Sequence, residues 1–484
     1  MRHRQSQTAR RAAAFLGLAV LASTPVAGRE PVPPLGEPRP LTIPNRADSV
    51  LDNGLRLTLI DTGLVPKATI MIDVRTGSVD EGSHNGLADF AGDYLTEGAA
   101  GRSATDLAAT AADMGGSLGV SMGTDRSTFA LDVLSEKAPA AIALLADVIR
   151  RPDLPAMALT KQRANALRGL AIARTEPQQI AGDALRHALY GSHRYGRGLP
   201  TESDVNAYTL DDVRHFLTAN FGARRTHIYV AGRFDHAAVE AAVRGAFADW
   251  LPGPSPTIDV PTLVPGRRIV LIDRPGAPQS TILIGAPGID PTVADYVHLS
   301  VTTTLLGGGL LSRYNQELRE ARGWTYGVQA RLAPTYRSGL WMVSTDVTTA
   351  HTAEALDALL RGLADLKATP PGEEELRRTQ NLRAGSFAVG MAGRMSLLGQ
   401  LAFLDLHGLP DDWLSGYVQR VYAVRPADTS AVLARRIDDA ALTIVVLGDR
   451  KVVEAGLRAL PALAAPATTW VDAAVAAPPP TKPR

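Results

Sequence analysis

The groups in this chain able to do chemistry are few, and their spacing narrows what that chemistry is. None of its ten histidines lies three or four residues from another, so no two share a helix face as a ligand pair. His187 and His193 are six apart and read as helix-end and loop residues with structural roles. There is no cysteine, which excludes thiolate zinc sites, cysteine nucleophiles, disulfides and lipid attachment to a cysteine. Asp89 and Asp93 are four apart and on a helix would share a face. With Glu97 one turn on and Asp113 nearby in sequence, such carboxylates could hold Mg²⁺ or Ca²⁺ through water and further oxygens. Acidic pairs on helices are common, and a solvent-facing polar surface is the plainer reading. The string Gly115-Gly116-Ser117-Leu118-Gly119 has the Gly-x-Ser-x-Gly form. A nucleophile elbow needs a strand before it and a helix after it. Here a helical alanine-rich run precedes and a strand-like run follows, so Ser117 reads as a turn residue.

The most specific string is LLGGGLLSRYNQELREARGWTYGV, residues 305–328. The spacing predicts a helix over 312–322, capped by Gly323, and a strand from Trp324. Gly307, Gly308 and Gly309 precede that helix, but no Lys-Ser/Thr follows as in a phosphate loop; a tight turn is the expectation. Arg319 carries a fixed fork of donors that stays charged. Tyr326, seven residues on, carries a phenol able to donate to an oxygen that gains charge in a transition state. No carboxylate stands three or four residues from Arg319, so an in-helix ion pair does not explain it.

The elements that position these groups come in two sets. Strand-like runs at 55–60 and 68–74 return as 268–273 and 280–285, each pair followed by an apolar helical stretch at 86–95 and 296–306. Each half closes on a further strand, 226–232 and 442–448. Ile70 to Ile282 spans 212 positions and Ile228 to Ile444 spans 216, a near-constant offset that implies duplication. Helices are expected at 138–149, 211–220, 352–366 and 372–387. Residues 251–265 hold five prolines and read as an extended linker. The fold class is therefore α+β, two homologous halves, each an antiparallel sheet covered by helices, closing like a clam-shell around a cavity. The expected limits are 45–250 and 266–455 for the two halves.

A resemblance now joins these residues. The stretch 85–98 (NGLADFAGDYLTEG) is similar to the metal-binding helix of the pitrilysin/insulysin-type, inverted-motif zinc peptidases. That helix reads Gly-Leu-Ala-His-Phe-Leu-Glu-His-Met, with two zinc-binding histidines and a water-activating glutamate. Asp89, Gly92 and Asp93 stand at those three positions, and Gly169 at that of the third ligand. The 305–328 string resembles the second half of the same family, whose arginine and tyrosine hold the substrate carbonyl beside the zinc. By residue match these are Arg319 and Tyr326. Asp52-Asn53-Gly54-Leu55 and Met114 to Leu118 also match, and the likeness covers residues 45–449. Where active members continue with Asn-Ala, this chain has Gly119-Val120.

The resemblance implies a zinc-less, substrate-binding subunit of a heteromeric zinc metallopeptidase, inert alone, binding no cofactor itself. Its partner would be a homologous zinc-bearing subunit, in a heterodimer or a dimer of heterodimers, acting on peptides. The alternative is a non-enzymatic structural or peptide-binding homologue. A net charge of +1, from 50 basic and 49 acidic residues, gives no field for nucleic acid. The arginines and the short apolar run of residues 1–28 read as a signal peptide for export to the periplasm, with no stable membrane span after cleavage. The Ala/Pro-rich end, 461–484, reads as a flexible tail.

Overall fold

The computed structural model describes residues 42–256, 259–464 and 469–473; the segment 1–28, expected to be a signal peptide, lies outside the described residues. The first half contributes β1 (Arg46–Val50), β2 (Arg56–Asp61), β3 (Lys67–Val74), the short pair β4 (Gly98–Ala99) and β5 (Arg102–Ser103), β6 (Gly119–Met122), β7 (Ser127–Leu134) and β8 (Thr226–Gly232). The second contributes β9 (Arg268–Asp273), β10 (Gln279–Pro287), β11 (Thr325–Thr335), β12 (Ser338–Thr348), β13 (Thr443–Gly448) and β14 (Thr469–Ala473). The Asp52-Asn53-Gly54 turn works as its residues suggest. Gly54 takes a φ of 91°, a left-handed conformation costly to other residues. The Asn53 amide donates to the carbonyls of Phe247 at 2.7 Å and Trp250 at 3.0 Å, tying the turn to the helix that closes the half.

The two sheets have one topology. The first runs β1-β2-β8-β3-β7-β6 and the second, read from its other edge, β14-β9-β13-β10-β12-β11. Ile72 faces Ile228 and Ile284 faces Ile444, which are the two offsets of the duplication. The halves depart from the expected antiparallel pattern at an equivalent place in each: β2 runs parallel to β8, and β9 parallel to β13. These strands open and close the repeat, and the long connection between them permits a parallel pairing that a hairpin cannot make. The symmetry breaks at the outer edge, where β1 is antiparallel to β2 but β14 is parallel to β9. β14 falls in the segment expected to be a loose tail. Within it Leu463 is also buried, while residues 465–468 and 474–484 lie outside the described residues. The linker forms no helix or strand among its described residues and is tied at both ends. Arg224 N–H donates to Pro252 O at 2.9 Å and Val264 N–H to Leu189 O at 3.0 Å.

Alternation along the strands gives each sheet two apolar faces. Ile70, Ile72, Ile228 and Val230 enter the first half's own helical core. Ile282, Ile284, Ile444 and Val446 do the same in the second. The intervening residues point the other way. Met71, Tyr229 and Ala231 meet Leu397, Leu398, Leu401 and Leu404 from helix Arg394–His407 of the second half. Val270, Leu283, Val445 and Leu447 meet Ala181, Leu185 and Leu189 from helix Pro177–Tyr190 of the first. The halves thus exchange helices, each covering the other's second sheet face. Polar contacts hold the exchange. Arg394 binds Thr69 Oγ1 at 2.9 Å and Asp132 at 2.7 Å, Arg56 pairs with Asp405, and the Tyr190 hydroxyl donates to Gly339 O at 2.8 Å. Partial burial works against ionisation of Asp132, but hydrogen bonds from Lys67, Thr69 and Arg394 prevail and hold its pKa at about 2. Between the halves remains a cavity of about 710 Å³, bounded by the β6–β7 turn and helices Glu373–Gly390 and Arg394–His407.

Leu398→Ala removes a fully buried side chain that sits on one half and packs on the other. It is expected to cost about 2–5 kcal/mol while leaving a single urea transition, because neither sheet keeps its second cover without the other half. Two separated transitions would contradict the exchange.

Candidate functional site

The helix Leu87–Leu95 follows Gly86, which takes a φ of 85°. Its free N-terminal amides are met by the buried Glu81 carboxylate, which accepts from Gly86 N at 3.0 Å and Ala88 N at 2.9 Å. Burial pushes the Glu81 carboxyl up to about 7, with Asp89's charge adding to the shift and the two backbone bonds opposing it. Leu87, Phe90, Ala91, Tyr94 and Leu95 bury one face in the half's core. Asp89 and Asp93 lie on the other face and reach solvent. The surrounding protein still removes enough water to raise both carboxyls, helped by Asp93 acting on Asp89 and Glu97 on Asp93. Glu97 is occupied: Lys161 Nζ lies 2.8 Å from it and Gln162 Nε2 2.6 Å.

The residues present do not fit a zinc ion. Gly92 is buried, and a Cβ built there would stand 2.3 Å from Met122 Cγ. The edge-strand methionine thus fills the space into which a longer residue at 92 would extend. Gly169, on helix Leu159–Ala173, is exposed with nothing within 4 Å of an added Cβ. Among the described residues, no three His, Asp or Glu side chains gather in a way that could hold a metal ion. Ser117 sits in the turn between helix Ala104–Asp113 and β6, the reverse of a nucleophile elbow.

In the second half, the segment expected as an α-helix over 312–322 forms a π-helix, Asn315–Ala321. The wider turn brings residues five apart together, so Arg322 Nε reaches Glu317 at 2.7 Å. Gly323, at a φ of 64°, ends it as expected. The preceding glycines allow close approach as well as a turn: a Cβ at Gly307 would stand 2.7 Å from Ala330 N of β11. Asn315, 4 % exposed, fastens the π-helix to the strand. Its amide donates to Gly309 O at 3.0 Å and Val328 O at 2.9 Å, and its oxygen accepts from Val328 N at 2.8 Å. Between Thr325 and Val328 the β11–β12 register slips. The Thr325 hydroxyl holds this bulge, accepting from Gly327 N at 3.0 Å and donating to Asp346 O at 2.7 Å. A bulge re-aims the side chain it carries, and here it throws Tyr326 outward.

Tyr326 is 90 % exposed. Arg319 lies with its guanidinium 5.5 Å from the Tyr326 ring centroid, a cation–π distance, and 3.6 Å from Glu320, its immediate neighbour in sequence. Neither residue lines the inter-half cavity, and neither do Asp89, Gly92, Asp93 or Gly169. Among the described residues, no hydrogen bond or ion pair links the Arg319–Tyr326 pair to helix Leu87–Leu95. Leu310 and Leu311, 64 % and 72 % exposed, flank the π-helix. Sequence reasoning missed Met122, Asn315 and Thr325. A buried, fully bonded asparagine leaves no mark on the polar–apolar pattern, and only the Thr-Tyr-Gly run hinted at a break in the strand.

Two family models match the chain: Insulinase (Peptidase family M16) over residues 57–202 and Peptidase M16 inactive domain over residues 207–383. The chain is 26 % identical over 412 residues to an uncharacterized zinc protease of Streptomyces coelicolor, covering 83 % of this chain and 89 % of that protein. It is 27 % identical over 364 residues to one of Mycobacterium leprae, covering 74 % and 82 %. Among solved structures, a peptidase M16 inactive domain from Pseudomonas fluorescens superposes with a TM-score of 0.78 at 23 % identity, covering 84 % of this chain and 98 % of that one. A protease from Helicobacter pylori gives a TM-score of 0.77 at 17 % identity, covering 84 % and 100 %. At these identities the two structures speak for the fold alone.

Gly92→Glu is expected to destabilise the chain by about 1–3 kcal/mol through overpacking against Met122, and Met122→Ala in the same chain to recover most of the loss. Thermal melts of the single and double variants check this; an unperturbed Gly92→Glu single variant would show that the space is free.

Proposed function

The chain belongs to the M16 (insulinase-type) peptidase family, and from that premise we propose that it is the zinc-less, substrate-binding subunit of a heteromeric metallopeptidase. The observation that carries this reading is an asymmetry. Among the described residues, the first half gathers no three groups that could hold a metal ion, and Met122 stands against Gly92, while the second half keeps an Arg319–Tyr326 pair with its phenol exposed. A donor pair that does not line its own chain's inter-half cavity, with the phenol exposed, is open to something that docks on it. The exposed Leu310 and Leu311 beside it supply apolar area for such a contact. In a homologous zinc-bearing partner, the guanidinium and phenol would stabilise the negative charge that grows on a peptide carbonyl oxygen. The relatives in Streptomyces and Mycobacterium are named zinc proteases; this reading keeps their class of reaction and assigns the zinc to the partner. The signal-like sequence of residues 1–28 supports a periplasmic complex as part of this reading.

A second reading, a non-enzymatic peptide-binding or structural homologue, draws on the lack of any bond between the Arg319–Tyr326 pair and the first half's helix.

The chain alone is expected to be inert, and its mixture with a zinc-bearing homologue to cleave peptides in a chelator-sensitive way. Arg319→Ala or Tyr326→Phe should lower kcat of the mixture by about 10²–10³-fold with the zinc content of the complex unchanged. Full activity of both variants would favour the second reading, and peptide cleavage by the pure chain would overturn both.

A further inference from the structure

The cavity between the halves is a feature that the partner reading does not use. Its volume of about 710 Å³ falls within the range of small-molecule sites, roughly 300–1,000 Å³. Five aromatic side chains on its wall form a connected set. Phe387 and Tyr417 have ring centroids 4.3 Å apart, Trp413 and Tyr417 5.2 Å, Phe403 and Trp413 5.8 Å, and Tyr296 and Trp413 6.3 Å.

The charges on the wall decide what such a box accepts. Arg126 pairs with Asp73 at 2.8 Å and His407 with Asp290 at 2.9 Å. Asp125 already accepts the Tyr195 hydroxyl at 2.6 Å and Tyr336 N–H at 3.2 Å. Arg383 is different. Its Nε donates to the Tyr417 hydroxyl at 2.8 Å, and among the described residues no carboxylate pairs with it. An aromatic box alone suits a cation, but an uncompensated guanidinium in the wall repels one and offers a carboxylate a forked donor. Ser386 and Gln400 on the same wall can satisfy remaining lone pairs.

We propose that the inter-half cavity binds an aryl carboxylate, an aromatic ring with a carboxylate a few bonds away, its ring on the Phe387–Trp413–Tyr417 wall and its carboxylate on Arg383. The ligand is either a free aromatic acid or the C-terminal aromatic residue of a peptide, since both present the same two groups. The pocket lies within one chain and needs no partner. Bound there, the ligand touches both the β6–β7 turn of the first half and the helices of the second, and so favours the closed pair of halves.

Isothermal titration of the full chain with N-acetylphenylalanine, its amide and N-acetylalanine tests this. The acid is expected to bind saturably, and the amide and the alanine derivative at least about tenfold more weakly, the loss of about 1.4 kcal/mol. Arg383→Gln should bring the acid to the level of the amide and leave the amide unchanged. Ser386→Trp, made at an exposed position on the rim, should block the acid without disturbing the fold. Equal affinity of the tetrapeptide Ala-Ala-Ala-Phe and the capped amino acid would support peptide ends as the source; binding of the small acid alone would support a free aromatic acid. Because acid and amide are compared on the unaltered chain, a folding defect in either variant leaves the outcome readable. No saturable heat with the acid, or equal binding of acid and amide, overturns the proposal.

Discussion

A mixed sheet whose strands are apolar on both faces must be covered twice, and that requirement organises this molecule. Each half has enough helices for one face of its own sheet. The second face is buried only by a helix lent from the other half, Pro177–Tyr190 in one direction and Arg394–His407 in the other. Fully burying one leucine is worth about 1.5–3 kcal/mol, and the exchanged helices bury Leu185 and Leu189 in one direction and Leu397, Leu398, Leu401 and Leu404 in the other. The halves therefore stay closed on one another. Whatever chemistry the chain takes part in is either inside the cavity left between them or on the outer surface.

The duplication places equivalent parts at equivalent points of two sheets, and the two copies have diverged in opposite senses. In the first half the helix Leu87–Leu95 keeps its cap, its buried face and its place under the edge strand. The positions that could carry metal chemistry hold carboxylates that disfavour one another's charge and a glycine packed against Met122. In the second half the corresponding edge carries effort in the opposite direction. A buried asparagine, a π-turn and a bulge hold Arg319 beside the Tyr326 ring and Glu320, with the phenol exposed. Ordering of that kind has a conformational cost, and stability of this chain alone gives no reason for it.

Much of this was legible in the sequence. The strand runs and their offsets of 212 and 216 marked the duplication, and the structure pairs Ile72 with Ile228 and Ile284 with Ile444 at those offsets. The helices at 138–150, 210–220, 352–368 and 373–390 follow from periodicity within a residue or three. The exchange of helices did not show, because periodicity reveals that a helix has an apolar face but not which sheet receives it. The parallel pairings of β2 with β8 and of β9 with β13 depend on that same long-range closure. The Ala/Pro-rich composition of the C-terminal segment hid β14, whose pairing comes from an available edge on β9 rather than from local propensity. At the candidate site the residue types were readable and their surroundings were not: Met122 against Gly92 and Asn315 under the bulge are contacts between distant or buried positions.

The central claim is that the surface carrying Arg319 and Tyr326 is made to be covered by a second, zinc-bearing chain. Hydrogen–deuterium exchange of the full chain, alone and mixed with such a homologue, tests it most directly. The account predicts new protection over residues 310–330, with exchange in helices 177–190 and 394–407 unchanged. No protection at 310–330 on mixing, or a loosening of the two exchanged helices in its place, would contradict it.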